Sequence, residues 1–349
     1  FAEVAFGTRH NMLGSATVSQ LLFNGSYLVG LQSAKVYLQI SENAKIKTNQ
    51  EIREMVVNAY GNVLLANESI AILEKNKLNL EKTLNETNQI FKNGLIEEES
   101  VEQLQITLTS INSTLNYTKR LADLAYKMLK ITLGIDINDD LKLSDKLDNL
   151  TVSNLDLAFA KNEFAVTENI NYQMAMNFQQ QRELELKLQK SKALPSLAAN
   201  VNFGATAFNN QFQFFTQNQN WFNYSNVGVS LNVPIFSSLA RSSRTQQAKI
   251  ALDQAKTQLS EAEQKLKLQF ASAKSDYEFS IEEYATAKSN LSLAERIERK
   301  QQIKFTEGLS SSFDYNDAQT QLYSGQQKYL QSMVDVINKK AALEKIINK

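Results

Sequence analysis

Apolar and small residues recur along one stretch of the chain at alternating steps of three and four. The series runs Ala248, Ala251, Ala255, Leu259, Ala262, Leu266, Phe270, Ala273, Tyr277, Ser280, Tyr284, Ala287, Leu291 and Ala294. That spacing predicts one long helix with a single buried face. Its mean step is about 3.67 up to Phe270 and about 3.43 beyond it, so the winding sense changes along the helix. Such a change suits a wide cylinder of helices better than a two-stranded rope. A second long helix is expected from Ser26 to Asn93, a stretch without proline and with only Gly30 and Gly61 inside it. At 1.5 Å per residue it would extend roughly 100 Å. The helix after Gly94 should end near Gly134, and Gly94 and Gly308 stand where a helix must stop and reverse.

Elsewhere the period drops to two. Val227, Val229, Leu231 and Val233 alternate with Gly228, Ser230 and Asn232. Leu197, Ala199, Val201, Phe203 and Ala205 alternate with Ala198, Asn200, Asn202 and Gly204. Both patterns predict strands with one apolar and one polar face. A third strand, Ala16–Leu22, is weaker because Gln20 interrupts its apolar side. Strands that cross a membrane need lipid-facing and lumen-facing positions in alternation. On that reading Leu197, Ala199, Val201, Phe203, Val227, Val229, Leu231 and Val233 are the lipid face. Phe208, Phe212, Phe214, Phe215, Trp221, Phe222 and Tyr224 cluster between the two clear strands, as in the aromatic girdles of membrane barrels.

The two kinds of element occur twice. Phe91-Lys92-Asn93-Gly94-Leu95 matches Phe305-Thr306-Glu307-Gly308-Leu309 at a shift of about 214 residues, and Ala34-Lys35, Ala59 and Leu129 match Ala248-Lys249, Ala273 and Leu343 at the same shift. A periodic match of this kind organises the whole chain. Residues 1–135 read as a first repeat, 136–160 as a connecting segment, and 161–349 as a second repeat. The second contains a helix of roughly Leu157–Lys192 and a strand whose first-half counterparts are not seen, so a helix and most of a strand are expected ahead of Phe1.

Composition narrows the function. Lys plus Arg and Asp plus Glu both number 37, so no bulk charge recruits nucleic acid. There is no cysteine and one histidine, His10, in a polar setting, which removes disulfides, thiolate metal sites and histidine-based catalysis. No phosphate-binding glycine loop is present. No catalytic, cofactor-binding or metal-binding residue is expected, and the chain does not read as an enzyme. No uninterrupted apolar run reaches the ~18 residues of a membrane-crossing helix. With its expected missing strand, each chain would bring four strands, too few to close a barrel, and lipid does not tolerate open edges. Three copies would supply twelve. A soluble coiled-coil scaffold or adhesin without a pore is the alternative, and it leaves the alternating strands unexplained.

The duplicated layout, Val233-Pro234-Ile235-Phe236 between strand and helix, Ala193-Leu194-Pro195-Ser196-Leu197 entering a strand, and Gly308-Leu309 followed by Asp314 and Asp317-Ala318-Gln319 together resemble the TolC-like outer-membrane efflux protein family. The likeness covers nearly the whole chain. It implies a mainly α fold with a β-barrel part, built as a homotrimer. A twelve-stranded barrel in the bacterial outer membrane, four strands per chain, would continue into a long α-helical barrel in the periplasm. It implies passive conduction of small molecules or proteins, as the exit duct of a tripartite efflux or type I secretion system. The partners would be a periplasmic adaptor (membrane fusion protein), an inner-membrane pump of RND or ABC type, and outer-membrane lipid. Asp136–Asp156 would belong to an equatorial girdle. The first-half junction, Leu21-Leu22-Phe23-Asn24-Gly25, departs from the pattern by lacking proline.

The same resemblance places a gate at the periplasmic mouth. Asp314 and Asp317, spaced i and i+3, share a helix face. In three copies they would form two carboxylate rings that favour cations, and crowding would raise some of their pKa values. The arginine–aspartate latch of other members is replaced by Ser310 and Ser100, so closure is expected to rest on Phe305, Ser310 and Ser100. Asn93, Gly94, Leu95, Glu307, Gly308 and Leu309 are the expected docking tips for the adaptor.

Overall fold

The computed structural model describes residues 7–156, 159 and 164–347. The chain is mostly helical with one small sheet. In order come β1 (His10–Asn24), α1 (Gly25–Lys92), α2 (Glu98–Leu133), α3 (Leu147–Asn154), α4 (Ile170–Ser191), β2 (Ser196–Asn209), β3 (Trp221–Asn232), α5 (Ala240–Thr306) and α6 (Ser312–Ile346). Two compact units result: Phe1–Glu42 with Met174–Glu261, and Asn43–Gln173 with Ala262–Lys349.

The first unit holds the antiparallel sheet, ordered β1-β2-β3. Val201 pairs with both Val18 and Val227, Ala199 with Gln20 and Val229, and Leu197 with Leu231. Directly paired residues share a face. One face therefore collects Ala16, Val18, Leu197, Ala199, Val201, Phe203, Val227, Val229 and Leu231, with Gln20 as its polar interruption. The opposite face collects Ser15, Thr17, Ser19, Asn200, Asn202, Asn226 and Ser230. Thr17 Oγ1 donates to Asn202 Oδ1 across it at 3.3 Å. All three strands are longer than their alternation announced. Val233 is a correction: it lies one residue past β3, because Pro234 behind it cannot donate to a ladder.

The two strand-to-helix junctions are built differently. At the first, β1 has a bulge between Leu21 and Phe23. Asn24 Oδ1 then accepts from the backbone N–H of Ser26 (2.8 Å) and of Tyr27 (3.1 Å), which caps α1 without a linker. Gly25 is required there, since a Cβ would stand 2.8 Å from Leu194 Cδ1 and 3.1 Å from the Ser191 carbonyl. This cap replaces the missing proline. At the second junction the backbone turns through Ser238 (φ 47°) and Leu239 (φ 66°), both left-handed. Arg241 holds that linker by donating to the carbonyls of Pro234 (2.9 Å) and Ile235 (3.3 Å) and to Ser237 Oγ (3.0 Å).

In the second unit the helical stripe does what its spacing predicts. Leu266, Tyr277, Ser280, Tyr284 and Ala287 are buried and Phe270, Ala273, Leu291 and Ala294 are half-buried. One core gathers Leu64 of α1, Leu147 of α3, Tyr277 and Tyr284 of α5, and Leu330, Met333, Val334, Val336, Ile337 and Leu343 of α6. Averaged over 18 residues, one stretch of α1 is apolar enough to cross a membrane by length and composition. The segment after α2 is fastened to the core by Tyr277, whose hydroxyl donates to the Asn154 carbonyl (2.6 Å) and accepts from the Asp156 N–H (3.0 Å). Helix α4 starts later than about Leu157: Asn169 Oδ1 accepts from the N–H of Asn171 (2.9 Å) and caps it. Residues 157, 158 and 160–163 of that expected helix lie outside the described residues.

Candidate functional site

Helices α1 and α5 end in the same motif. Gly94 (φ 74°) donates to the Phe91 carbonyl at 2.8 Å and Leu95 to Ile90 at 3.3 Å. Gly308 (φ 74°) donates to Phe305 at 3.0 Å and Leu309 to Lys304 at 2.8 Å. This crossed pair of bonds satisfies helix-end carbonyls and needs a left-handed residue, which glycine adopts without strain. Gly134 (φ 73°) closes α2 in the same way, with Ile135 in the leucine position. The hydrophobic residue after the glycine ordinarily folds back onto its own helix. Leu95 and Leu309 instead remain 74% and 73% exposed. Asn93 and Glu307 beside them are exposed as well.

The start of α6 gathers several of the expected gate residues. Ser311 caps the helix: its Oγ accepts from the Asp314 N–H (3.1 Å), and Asp314 Oδ2 accepts from the Ser311 N–H (3.3 Å) and Oγ (2.8 Å). This reciprocal box satisfies free N–H groups and places a carboxylate at the positive end of the helix. The Ser311 donors, side chain first and backbone second, hold the Asp314 carboxyl below its usual pKa. Within one chain the cap sets this direction. Asp317 lies one turn on, exposed, accepting from Gln321 Nε2 at 2.8 Å.

Phe305, Ser310 and Ser100 each find a partner other than one another. Phe305 stacks on Tyr315, with ring centroids 5.3 Å apart and planes 11° apart. Ser310 Oγ donates to Gln301 Oε1 (3.1 Å) and lies 3.4 Å from Asp314 Oδ2. Ser100 Oγ donates to Ser312 Oγ at 3.2 Å. Each of the three therefore reaches the N-terminal turns of α6. Tyr315 is the hub that sequence reading missed. It is buried with Leu80, Leu84, Leu104, Leu108 and Ile111, its hydroxyl accepts from Gln319 Nε2 at 2.8 Å, and burial pushes its pKa up to about 12. Glu298 of α5 stands near the same tyrosine, and burial raises its carboxyl above the ordinary range. Thr107 Oγ1 adds a bond from α2 to Asn316 Oδ1 at 2.9 Å.

In the sheet, seven of the eight residues expected to face lipid lie on one face, as the register requires. The aromatic residues divide. Trp221 lies on the apolar face, and Phe212 meets His10 edge-on at 6.4 Å on that side. Phe208, Phe222 and Tyr224 lie on the polar face by their register. Among the described residues no cluster of three His, Cys, Asp or Glu side chains is placed to hold a metal ion.

No curated protein matches the chain by sequence. Solved structures share its fold at low identity. The outer membrane protein VceC of Vibrio cholerae is 14% identical with a TM-score of 0.74, over 97% of this chain and 87% of that one. The CmeC outer membrane channel of Campylobacter jejuni is 14% identical with a TM-score of 0.75, over 97% and 77%. The open state of the MtrE outer membrane channel of Neisseria gonorrhoeae is 14% identical with a TM-score of 0.72, over 97% and 80%. The model of the family described as outer membrane efflux protein matches residues 169–349, just over half of the sequence, from the cap of α4 through the sheet strands β2 and β3 to the end of α6. The chain belongs to the outer membrane efflux protein family.

Proposed function

We propose that three copies of this chain build one passive exit duct, with their sheets closing a shared twelve-stranded barrel in the outer membrane and their helices lining a tunnel in the periplasm. The observation that carries this reading is the sheet. It has an apolar face, a polar face and, among the described residues, two unpaired edges, β1 and β3. Edges left open in hydrocarbon cost several kcal/mol per unsatisfied group, so a membrane-crossing sheet must be closed by other strands. A fourth strand per chain is part of the proposal. So is the duplication, which is supported by two helical pairs of nearly equal length, α1–α2 (68 and 36 residues) and α5–α6 (67 and 35), each turning at a Gly-Leu.

Helix α2 supports the assembly independently. It buries Leu104, Leu108, Ile111, Leu115, Ala122 and Leu129 within the chain. A second row, Tyr117, Leu121, Leu124, Met128 and Ile131, is exposed and stepped four, three, four, three. That is the spacing of a coiled-coil seam awaiting a helix. Each helix of a closed helical barrel has two neighbours and needs two such seams.

Residues 1–135 and 161–349 are then the two repeats, with 136–160 the equatorial segment. Asp314 and Asp317 would ring the periplasmic mouth and favour cations, while Phe305, Ser310 and Ser100 would hold α6 in the closed arrangement. The exposed Leu95 and Leu309, with Asn93, Gly94, Glu307 and Gly308, would meet a periplasmic adaptor, and the energy would come from an inner-membrane pump of RND or ABC type. Purification in detergent followed by recordings in planar bilayers tests the reading. A trimer that opens ion channels, less cation-selective after Asp314→Asn with Asp317→Asn, is expected. Single copies that stay soluble in plain buffer and pass no current sink it.

A further inference from the structure

No Lys, Arg, Asp or Glu occurs between Arg9 and Lys35 or between Lys192 and Arg241, so no acid or fixed cation stands anywhere on the three strands. The polar face is made of Ser, Thr and Asn for most of its length. Toward the β2–β3 loop it changes character. Leu13, Thr206, Phe208, Phe222 and Tyr224 follow one another there by register, Thr206 opposite Phe222 and Gly204 opposite Tyr224. Phe208 and Phe222 lie 6.1 Å apart at 51°, and Phe222 is 61% exposed. A Cβ at Gly204 would collide with the Tyr224 ring, so the glycine lets that ring lie along the sheet.

These rings are in the wrong place to serve as membrane anchors. Trp221 and Phe212 already occupy the apolar face at the same end. Large exposed aromatics on a face otherwise built for water call for another account. Ring faces attract cations, and the strands themselves carry no fixed charge, Arg9 standing just ahead of β1 where its N–H meets Asn210 Oδ1.

We propose that Phe208, Phe222 and Tyr224 form an aromatic shelf on the channel wall near its outer end, which retains aromatic organic cations as they leave. The inference rests on the reading that the polar face lines the channel. Each copy would contribute one shelf. Discrimination in the barrel then works through ring stacking and cation–ring attraction, with no fixed charge involved.

Recordings on the full protein in planar bilayers test this, with tetraphenylphosphonium added on the loop side and tetraethylammonium as a ringless cation of equal charge. In the parent protein tetraphenylphosphonium interrupts the current and tetraethylammonium does not. Phe208→Leu, Phe222→Leu and Tyr224→Leu together keep bulk but remove the rings, and weaken the block about tenfold, equivalent to ~1.4 kcal/mol. Equal block in parent and variant, or equal block by both cations, overturns the shelf. Absence of any current before a probe is added has a different meaning: it removes the channel reading, and the shelf falls with it. Should the triple variant not insert, the cysteine-free background offers a second route. Phe222→Cys should react with a charged, water-soluble thiol reagent and lose current, whereas Val229→Cys should not. Reaction at Val229→Cys with Phe222→Cys inert overturns the placement.

Discussion

Tyr277 shows how much one side chain can hold. It is fully buried in α5, and its hydroxyl joins the Asn154 carbonyl and the Asp156 N–H at the end of the segment that follows α2. Tyr277→Phe keeps the ring but orphans both backbone groups. A loss of about 1–3 kcal/mol is expected, visible as a lower melting temperature with unchanged helix content. Asp314 is a surface counterpart. Its lowered pKa means the capping box stabilises the fold above the ordinary carboxyl value of about 3.9, and that contribution fades as pH falls through the lower folded-state value. Parent and Asp314→Asn proteins should therefore differ in thermal stability by a constant amount at neutral and mildly acidic pH, and converge below that point. A gap that first opens on acidification would contradict the cap. The spacing of Asp314 and Asp317 was legible in the sequence, but the roles were not. A carboxylate three residues after a serine reads equally as a cap or as half of a ring, and the Ser311 contacts show the cap. Tyr315 was illegible for another reason: it sits among Asp and Asn in the sequence, and its burial depends on Leu80, Leu104 and Ile111 from distant helices.

At the scale of elements, the glycine turns illustrate where local chemistry is sufficient. Gly94, Gly134 and Gly308 are all left-handed, and nothing lies within 4 Å of where a Cβ would stand. Their requirement is thus one of backbone conformation alone. Gly308→Ala should cost about 1 kcal/mol and Gly308→Asn less, since asparagine tolerates the left-handed region; chemical denaturation of the two variants checks the order. If alanine and asparagine cost the same, conformation is not the cause. Gly94 and Gly308 could be read from the sequence because a residue-level rule decides them. Strand ends could not. The alternation of β3 fades at Tyr224-Ser225-Asn226, yet pairing with β2 carries the ladder to Trp221. Likewise the missing proline at the first junction gave no hint that Asn24 and Gly25 do its work, since the cap depends on Ser191 and Leu194 packing close by.

At the scale of the whole molecule, the decisive feature is what one chain leaves uncovered. The exposed row on α2 went unnoticed in the sequence because α2 carries two apolar rows at heptad spacing, and superposed rows blur the periodicity that reveals either one. Burial separates them: Leu104, Leu108 and Ile111 are inside, while Met128 and Ile131 are 69% and 66% exposed. A monomer would gain nothing from such a row, whereas a neighbour's helix would bury it. Leu124→Glu with Met128→Glu places two acids in that seam, where a partner helix would have to desolvate them. The folded chain should be indifferent, because both positions face away from its own core. The expected outcome is retained helical circular dichroism with a shift from trimer to smaller species in detergent, read by size exclusion with light scattering, and loss of channel current in bilayers. An intact trimer would show that the seam is not an interface and that copies meet through the strand edges alone.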